Sequence, residues 1–174
     1  MFLARNSEQR TPTTATLSAL PSGVAGVKAT LKVMKRLALD GKKEMPVRMK
    51  ALELVSHLQQ KNFLGEIKAL HRFVRDEIRY VRDIDGVETL QTPVKTLEFA
   101  QGDCDDKATL LAALLLSIGH SARFMAIGKT PGKLSHVYVE TLYGLHRWVP
   151  LETTEPVEVG WSPSGVRTRL IAHI

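Results

Sequence analysis

The spacing of apolar positions divides the chain into helical segments followed by extended ones. Between residues 27 and 118, apolar side chains recur every three or four positions in separate stretches, the period of a helix with one buried face. From residue 122 onward the apolar runs are short and are separated by glycine-containing breaks. This order predicts an α+β fold with an antiparallel sheet. The predicted strands are Ala122 to Ile127, Ser135 to Leu142 and His146 to Leu151, and the last residues are predicted to be irregular.

The helical segments differ in character. Val27 to Leu39 interleaves apolar residues with Lys and Arg, which predicts a short amphipathic helix whose basic side faces solvent or a partner. A second helix is predicted to start at Pro46, and a third carries the stripe from Ile67 to Ile78, on which His71 should be a buried, hydrogen-bonded core residue. Asp105 to Ile118 is apolar nearly all round and therefore predicts a central, buried helix.

Charge separates an N-terminal extension from the rest of the chain. The net charge is +6, but residues 1–50 hold ten Lys and Arg against three acids, whereas residues 51–174 hold fourteen against fifteen. Residues 1–22 are rich in Thr, Ser, Ala and Pro, a composition that buries little apolar surface. The sequence thus predicts a basic arm over residues 1–45 and a domain over residues 46–174.

Composition also excludes several classes of protein. The chain shows neither a secretory signal pattern nor an apolar run long enough to span a membrane, so a cytoplasmic protein is expected. One cysteine forms no intramolecular disulfide and supports no cysteine-based zinc site, and we predict no cofactor or metal. The basic arm lacks a nucleic-acid recognition motif and an aromatic stacking platform, so it favours a neighbouring protein subunit as partner over nucleic acid.

The single cysteine stands where a loop meets the buried helix. In Gly102-Asp103-Cys104-Asp105-Asp106, unpaired backbone N–H groups and the positive end of the helix dipole favour a thiolate at Cys104. The same N–H groups would lie near the oxygen of a tetrahedral intermediate. The three aspartates oppose the thiolate, although they also suit a helix N-terminus. We expect the helix and an adjacent imidazole to outweigh them, so that Cys104 alkylates faster than a free thiol.

A histidine and a glutamate fall on neighbouring predicted strands. Facing residues of an antiparallel hairpin have index sums that stay constant along the ladder. If the loop is Tyr143-Gly144-Leu145, Leu142 faces His146 and His136 faces Glu152. A carboxylate in that position fixes the tautomer of the imidazole and stabilises its protonated form, as a general base requires.

Together, Gly-Asp-Cys-Asp-Asp, His-Val-Tyr-Val-Glu and Trp-Val-Pro-Leu-Glu-Thr-Thr resemble the transglutaminase-like superfamily over about Ile67 to Thr154. The resemblance implies a papain-like α+β core in which N-terminal helices and an antiparallel sheet surround the buried helix that carries the cysteine. It also implies a triad of Cys104 as nucleophile, His136 as base and Glu152 as the residue that orients the base. The superfamily normally has aspartate at the third position, so Glu152 is a departure.

The resemblance leaves two functions open. One is a thiol enzyme that acts on an amide of a protein or peptide, with the acyl-enzyme resolved by water or by an amine. The other is a non-catalytic structural or interaction protein of the same fold. Gln91-Thr92-Pro93 and Gly-Asp-Cys-Asp-Asp-Lys are similar to small members from bacteria, phages and prophages. The second function therefore includes a virion or tail component carried in a phage particle, with its basic arm on a neighbouring subunit.

Further residues are candidates for the surroundings of the thiol. Gln91 and Gln101 precede Cys104 and are candidate side-chain donors to the oxyanion. Tyr138 and Trp148 are candidates for the walls of a substrate groove, although aromatic residues on strands often belong to the core. A loop is predicted over Asp83 to Pro93.

Overall fold

The computed structural model describes residues 14–17, 23–83 and 88–174. Residues 1–13 and 18–22 of the predicted arm and the middle of the predicted loop over residues 83–93 lie outside these ranges. Of the helices described, none has the length and the apolar character that crossing a bilayer requires. The helices are α1 (Val24–Gly41), α2 (Met45–Val55), α3 (Phe63–Glu77), α4 (Pro93–Phe99) and α5 (Cys104–Ser117). The strands are β1 (Thr14–Leu17), β2 (Arg79–Tyr80), β3 (Glu88–Gln91), β4 (Gln101–Gly102), β5 (Ala122–Gly128), β6 (His136–Tyr143), β7 (Arg147–Leu151) and β8 (Thr168–His173).

Helix α5 is the centre of the core, as its sequence predicts. Its residues from Asp106 to Leu115 are all buried, so the helix is enclosed on every side. Asp103 caps its first turn by accepting hydrogen bonds from the backbone N–H groups of Asp105 and Asp106, at 2.9 and 3.1 Å. At its other end Gly119 takes a left-handed conformation with φ of 96°, as a helix-terminating glycine does.

Helix α1 contributes to the same core, although the sequence assigns it to the basic extension. Leu31, Met34 and Ala38 on its inner face belong to the cluster that surrounds α5. The Nζ atom of Lys35 donates to the backbone carbonyl of His173 at 2.7 Å, which ties α1 to β8. The packed unit thus includes a helix from before residue 46. Where an independently folding domain begins stays a prediction.

The main sheet has four antiparallel strands in the order β7-β6-β5-β8. The three predicted strands are confirmed, but the prediction of an irregular C-terminus is wrong, because β8 pairs with β5 along its whole length. Apolar side chains of one face, including Phe124 and Val137, pack in the α5 core. Met125, Ile127 and Tyr138 form a separate cluster on the other face. Alternation along β6 places His136 on this second face, with Tyr138.

The predicted register of the hairpin between β6 and β7 is wrong by two residues. Tyr143 pairs with Arg147, so the loop consists of residues 144–146 instead of 143–145. The physical reason is the position of Gly144, whose φ of 67° lets it turn the chain immediately after Tyr143. Glu152 is thus not directly opposite His136. A shift of two residues keeps side chains on the same face, so Glu152 becomes a diagonal neighbour of His136.

Two short strand pairs frame the start of α5. The backbone of β1 pairs with β3, so part of the loop predicted over residues 83–93 is a strand. The parallel pair of β2 and β4 places Tyr80 beside Gly102, two residues before Cys104. These pairings bring the chain that leaves α3 to the N-terminus of α5.

Removing residues 1–22 should leave the core folded, because the described elements that bury it follow residue 23, and the described pairing that is lost is the β1 ladder. By contrast, Met34→Ala should lower the free energy of unfolding by about 2–5 kcal/mol, since Met34 is fully buried. Urea unfolding of the full chain, the truncated chain and both α1 variants would measure these effects, with Lys32→Ala as an exposed control on the same helix. A truncated chain as unstable as Met34→Ala would contradict the expectation.

Candidate functional site

The thiol of Cys104 lies at the peptide bond between His136 and Val137. Cys104 is the first residue of α5 and is partly buried. Its sulfur contacts the Asp105 carboxylate at 3.5 Å and the backbone N–H of Val137. The ladder between β6 and β7 ends where Val139 pairs with Leu151, so Val137 has no partner on β7. The end of this ladder therefore leaves the Val137 N–H available to the sulfur.

The surroundings of Cys104 favour the protonated thiol over the thiolate. Burial raises the pKa of Cys104 well above that of a free thiol, the charges of Asp105 and Asp103 raise it further, and the hydrogen bond from Val137 opposes them. These effects run against the expectation of a thiolate favoured by the helix N-terminus. The geometry agrees, because a protonated thiol can donate to the carboxylate of Asp105.

His136 and Glu152 form a hydrogen-bonded pair. The Nε2 atom of His136 lies 2.6 Å from Oε2 of Glu152, which is fully buried. The other carboxylate oxygen accepts from the N–H and the hydroxyl of Thr154, at 2.8 and 2.7 Å. Burial alone would raise the pKa of Glu152, but the hydrogen bonds from His136 and Thr154 outweigh burial and hold the pKa below its usual range. A proton on Nε2 directed at this carboxylate leaves Nδ1 of His136 as the nitrogen that can accept a proton.

The three residues of the predicted triad thus occupy one region, with one contact missing. Glu152 is bonded to His136, and the Cys104 sulfur is bonded to the peptide that follows His136. In the part of the chain that the structure describes, the thiol makes its hydrogen bond to Asp105 and none to the imidazole. The ring of His136 is stacked against Tyr138, with 6.4 Å between ring centroids.

The two candidate oxyanion donors have other partners. The amide nitrogen of Gln91 donates to Asp106 at 2.8 Å and to the backbone carbonyl of Gln101 at 3.4 Å, while its oxygen is buried without a partner among the described residues. The carboxyl group that receives Gln91 is itself unusual, because burial raises the pKa of Asp106 to about 7. The side-chain oxygen of Gln101 accepts from Arg79 at 2.6 Å. None of these contacts directs either glutamine at the thiol.

The two aromatic groove candidates pack against other residues of the main sheet. Tyr138 is buried with Met125 and Ile127. Trp148 covers the guanidinium of Arg123, whose central carbon lies 4.2 Å from the ring centroid. A different surface borders the base, a cavity of about 400 Å³ whose lining includes His136 and Glu152 but not Cys104. The other residues that line this cavity are Ile127, Gly128, Lys129, Thr130, Lys133, Ser135, Thr154, Glu155, Trp161 and Pro163.

Sequence reasoning missed two aromatic residues near the site. Tyr80 is half exposed, and the pKa of its phenol is raised first by burial and then by the charges of Cys104 in its ionised form and of Asp103, which places it near the thiol. Trp161 is 42% exposed and lines the cavity beside His136. Neither lies in a motif. Tyr80 reaches the site through a parallel pairing of only two residues, which leaves no periodic signal in the sequence.

Two buried ionisable residues connect the helices to this site. His71 is 1% exposed, as predicted for a core histidine, and its Nε2 atom lies 2.6 Å from the backbone carbonyl oxygen of Glu152. Lys107, one helical turn after Cys104, donates to the carbonyls of Ile78 and Arg75 at the end of α3, at 2.6 and 3.3 Å. Burial lowers the pKa of Lys107 to about 8, against the opposing charge of Glu152.

Comparison with known proteins identifies the family. The sequence model of the transglutaminase-like superfamily matches residues 50–153. This chain belongs to the transglutaminase-like superfamily, in agreement with the motifs and the papain-like arrangement of helix and sheet.

Individual relatives are distant. The chain is 36% identical to dynein regulatory complex subunit 7 of Chlamydomonas reinhardtii over 72 residues, which are 40% of this chain and 6% of that protein. Among solved structures it is similar to a candidate cysteine protease from Cytophaga hutchinsonii, with 16% identity, a TM-score of 0.51, and coverage of 74% of this chain and 46% of that one. A candidate protease from Parabacteroides distasonis gives 13% identity and a TM-score of 0.48, with coverage of 73% and 29%. The chain spans less than half the length of each of these proteins, and the first structural likeness supports the fold alone.

Replacing Asp105 with Asn should make the thiol more reactive, because it removes a charge that raises the pKa of Cys104. Below that pKa, each unit by which it falls increases the thiolate fraction about tenfold. We expect iodoacetamide to alkylate Asp105→Asn about 3–10 times faster than wild type at neutral pH. The wild-type rate should keep rising beyond the pH at which a free thiol is fully ionised.

Mass spectrometry of the modified chain would follow the reaction over a series of pH values. The matched control is Asp40→Asn, which removes an acid from the exposed side of α1 and should leave the rate unchanged. An unchanged or slower rate in a folded Asp105→Asn variant would mean that Asp105 does not govern the ionisation of the thiol.

Proposed function

We propose that this chain is a thiol enzyme that acts on an amide of a protein or peptide, with Cys104 as nucleophile, His136 as base and Glu152 as the residue that orients the base. The observation that carries the proposal is the 2.6 Å contact between His136 and Glu152, next to the peptide whose N–H reaches the sulfur. A buried carboxylate with a lowered pKa, paired to the far nitrogen of an imidazole beside a thiol, is the arrangement that prepares a histidine to accept a proton.

The reaction would proceed through an acyl-enzyme. Nδ1 of His136 takes the proton of the thiol, and the sulfur attacks the carbonyl carbon of the substrate amide. The tetrahedral intermediate would place its negative oxygen near the backbone N–H of Cys104, since the N–H groups of Asp105 and Asp106 already donate to Asp103. When the carbon–nitrogen bond breaks, the imidazolium gives its proton to the leaving amine. Water or a second amine then attacks the thioester while His136 accepts its proton. The carbon–sulfur bond breaks, the acid or new amide leaves, and the imidazolium returns the proton to the sulfur.

Substrate binding would also have to activate the thiol. In the resting structure the thiol donates to Asp105, and the pKa of Cys104 is raised. Proton transfer to His136 therefore requires the side chain of Cys104 to leave the carboxylate and turn towards Nδ1. Catalytic hydrogen bonds that are long or absent without substrate and form in the complex are common in enzymes.

The hydrogen bond between the thiol and Asp105 also favours a second candidate, a non-catalytic structural or interaction protein of this fold. A thiol that is held by a carboxylate, has a raised pKa and makes no hydrogen bond to the imidazole is what a decayed site would present. In that case the basic arm and the exposed cations of α1 would dock on a neighbouring subunit. Neither the curated relative nor the two solved structures above is a phage protein by its description. A place in a phage particle, like a cytoplasmic location, rests on sequence alone.

Covalent labelling would separate the two candidates. A peptide acyloxymethyl ketone presents an amide-like carbonyl to a thiol. It should label the wild-type protein at Cys104 and should not label the Cys104→Ser variant. Labelling should fall at least about tenfold in His136→Ala, because the base contributes about that much or more to thiol attack. Glu152→Gln should give an intermediate rate.

Tandem mass spectrometry would identify the labelled residue, and melting temperatures would verify that each variant is folded. His57→Ala is the matched control, since His57 is an exposed histidine beyond the end of α2. Equal labelling of wild type and His136→Ala would support the non-catalytic protein and reject the proposed triad.

A further inference from the structure

The residue that would orient the base lies where the sheet no longer holds the chain. The ladder between β6 and β7 ends with the pair of Val139 and Leu151, one residue before Glu152. Within a strand, ladder hydrogen bonds to the neighbouring strand fix the backbone and so determine the direction of each side chain. Glu152 has no ladder partner on β6, so other contacts must set the position from which its carboxylate reaches His136.

His71 supplies the contact on the backbone of Glu152. Its Nε2 atom lies 2.6 Å from the Glu152 carbonyl oxygen, and both residues are almost completely buried. Because a carbonyl oxygen only accepts hydrogen bonds, Nε2 of His71 must carry the proton and donate it. Burial lowers the pKa of His71, so the donor is a neutral imidazole, and no buried charge has to be compensated.

The carboxylate end of Glu152 is fixed separately. Thr154 donates its N–H and its hydroxyl to Oε1, which leaves Oε2 for His136. Thr154 therefore determines which carboxylate oxygen of Glu152 faces His136, while His71 fixes the position of the Glu152 backbone. The glutamate is held at both ends, by a helix at its backbone and by the following loop at its carboxylate.

We propose that His71 is a positioning residue, which aligns the Glu152–His136 pair by holding the backbone carbonyl of Glu152 just beyond the last pair of the ladder. Helix α3 thereby acts on the base, although His71 touches neither the thiol nor the imidazole of His136 through any described hydrogen bond. The catalytic value of this alignment rests on the proposed function. The alignment itself does not, because it concerns a hydrogen bond between Glu152 and His136 that exists without substrate.

The hydrogen bond between His136 Nε2 and Glu152 Oε2 measures this alignment directly. The proton in a short, charge-assisted hydrogen bond resonates far downfield in the NMR spectrum, so loss of alignment moves its signal upfield. His71→Leu fills the same space without a donor, whereas His71→Gln can place an amide N–H close to the former Nε2 position. We expect His71→Leu to move the His136 Nε2–H signal upfield. His71→Gln should remain closer to wild type than His71→Leu.

Proton NMR spectra of the full chain would show this signal, which is assigned to His136 by its absence from a His136→Ala spectrum. Repeating the measurement in a Cys104→Ala background removes the thiol, so the result stays readable even if labelling rejects the enzyme. In a Glu152→Gln background, His71→Leu should cause no further change, because the carboxylate that it aligns is gone. If His71→Leu does not fold, His71→Asn, whose amide is too short to reach the carbonyl, takes its place.

A purely structural histidine gives a different pattern. His71→Leu or His71→Asn would then lower the melting temperature and leave the His136 Nε2–H signal at its wild-type position, which would overturn the proposal. An equal change of this signal in the presence and absence of the Glu152 carboxylate would overturn it as well, because the effect would not pass through Glu152.

Discussion

The burial of α5 on every side is the constraint on which the rest of this structure depends. A helix that is apolar all round has no face for solvent, so it must be enclosed. In this chain α1, α2 and α3 pack on it together with the inner face of the main sheet. Enclosure fixes where its first turn can lie. Cys104 opens that turn, beside the part of β6 that extends beyond the last pair with β7.

In the enclosed α5, the acids of the first turn stabilise the helix but make the thiol less reactive. Asp103 caps α5, and acids in the first turn complement the helix dipole. Yet burial of the sulfur raises the pKa of Cys104 most, and the charges of Asp105 and Asp103 raise it further. A helix N-terminus therefore does not by itself make a cysteine reactive, because burial and the acids of the first turn act against the thiolate. An enzyme built in this way depends on its substrate to displace the thiol from Asp105.

The sequence predicts those parts of the fold that depend on periodicity and not those that depend on pairing over distance. The burial of α5, the three strands and the buried state of His71 follow from apolar spacing alone. The register of the hairpin depended on which of three loop positions the left-handed Gly144 occupies, and apolar spacing does not determine that. The strand β8 follows a segment with two prolines, and its alternating exposure gives only a weak signal. The contacts of Gln91 with Asp106 and of His71 with Glu152 join residues 15 and 81 positions apart, which no local pattern encodes.

The corrected register also gives a physical reason for glutamate at a position where the superfamily normally has aspartate. Directly opposite residues of an antiparallel pair have Cβ atoms about 5 Å apart, whereas diagonal neighbours are about 7–8 Å apart. Had His136 faced residue 152 across the ladder, an aspartate would have reached the imidazole. With the ladder shifted by two residues, the acid approaches His136 along the diagonal, and the additional methylene of Glu152 provides the length for the 2.6 Å contact. A longer side chain has more rotamers to restrict. The two hydrogen bonds from Thr154 and the one from His71 supply that restriction at the two ends of the same residue.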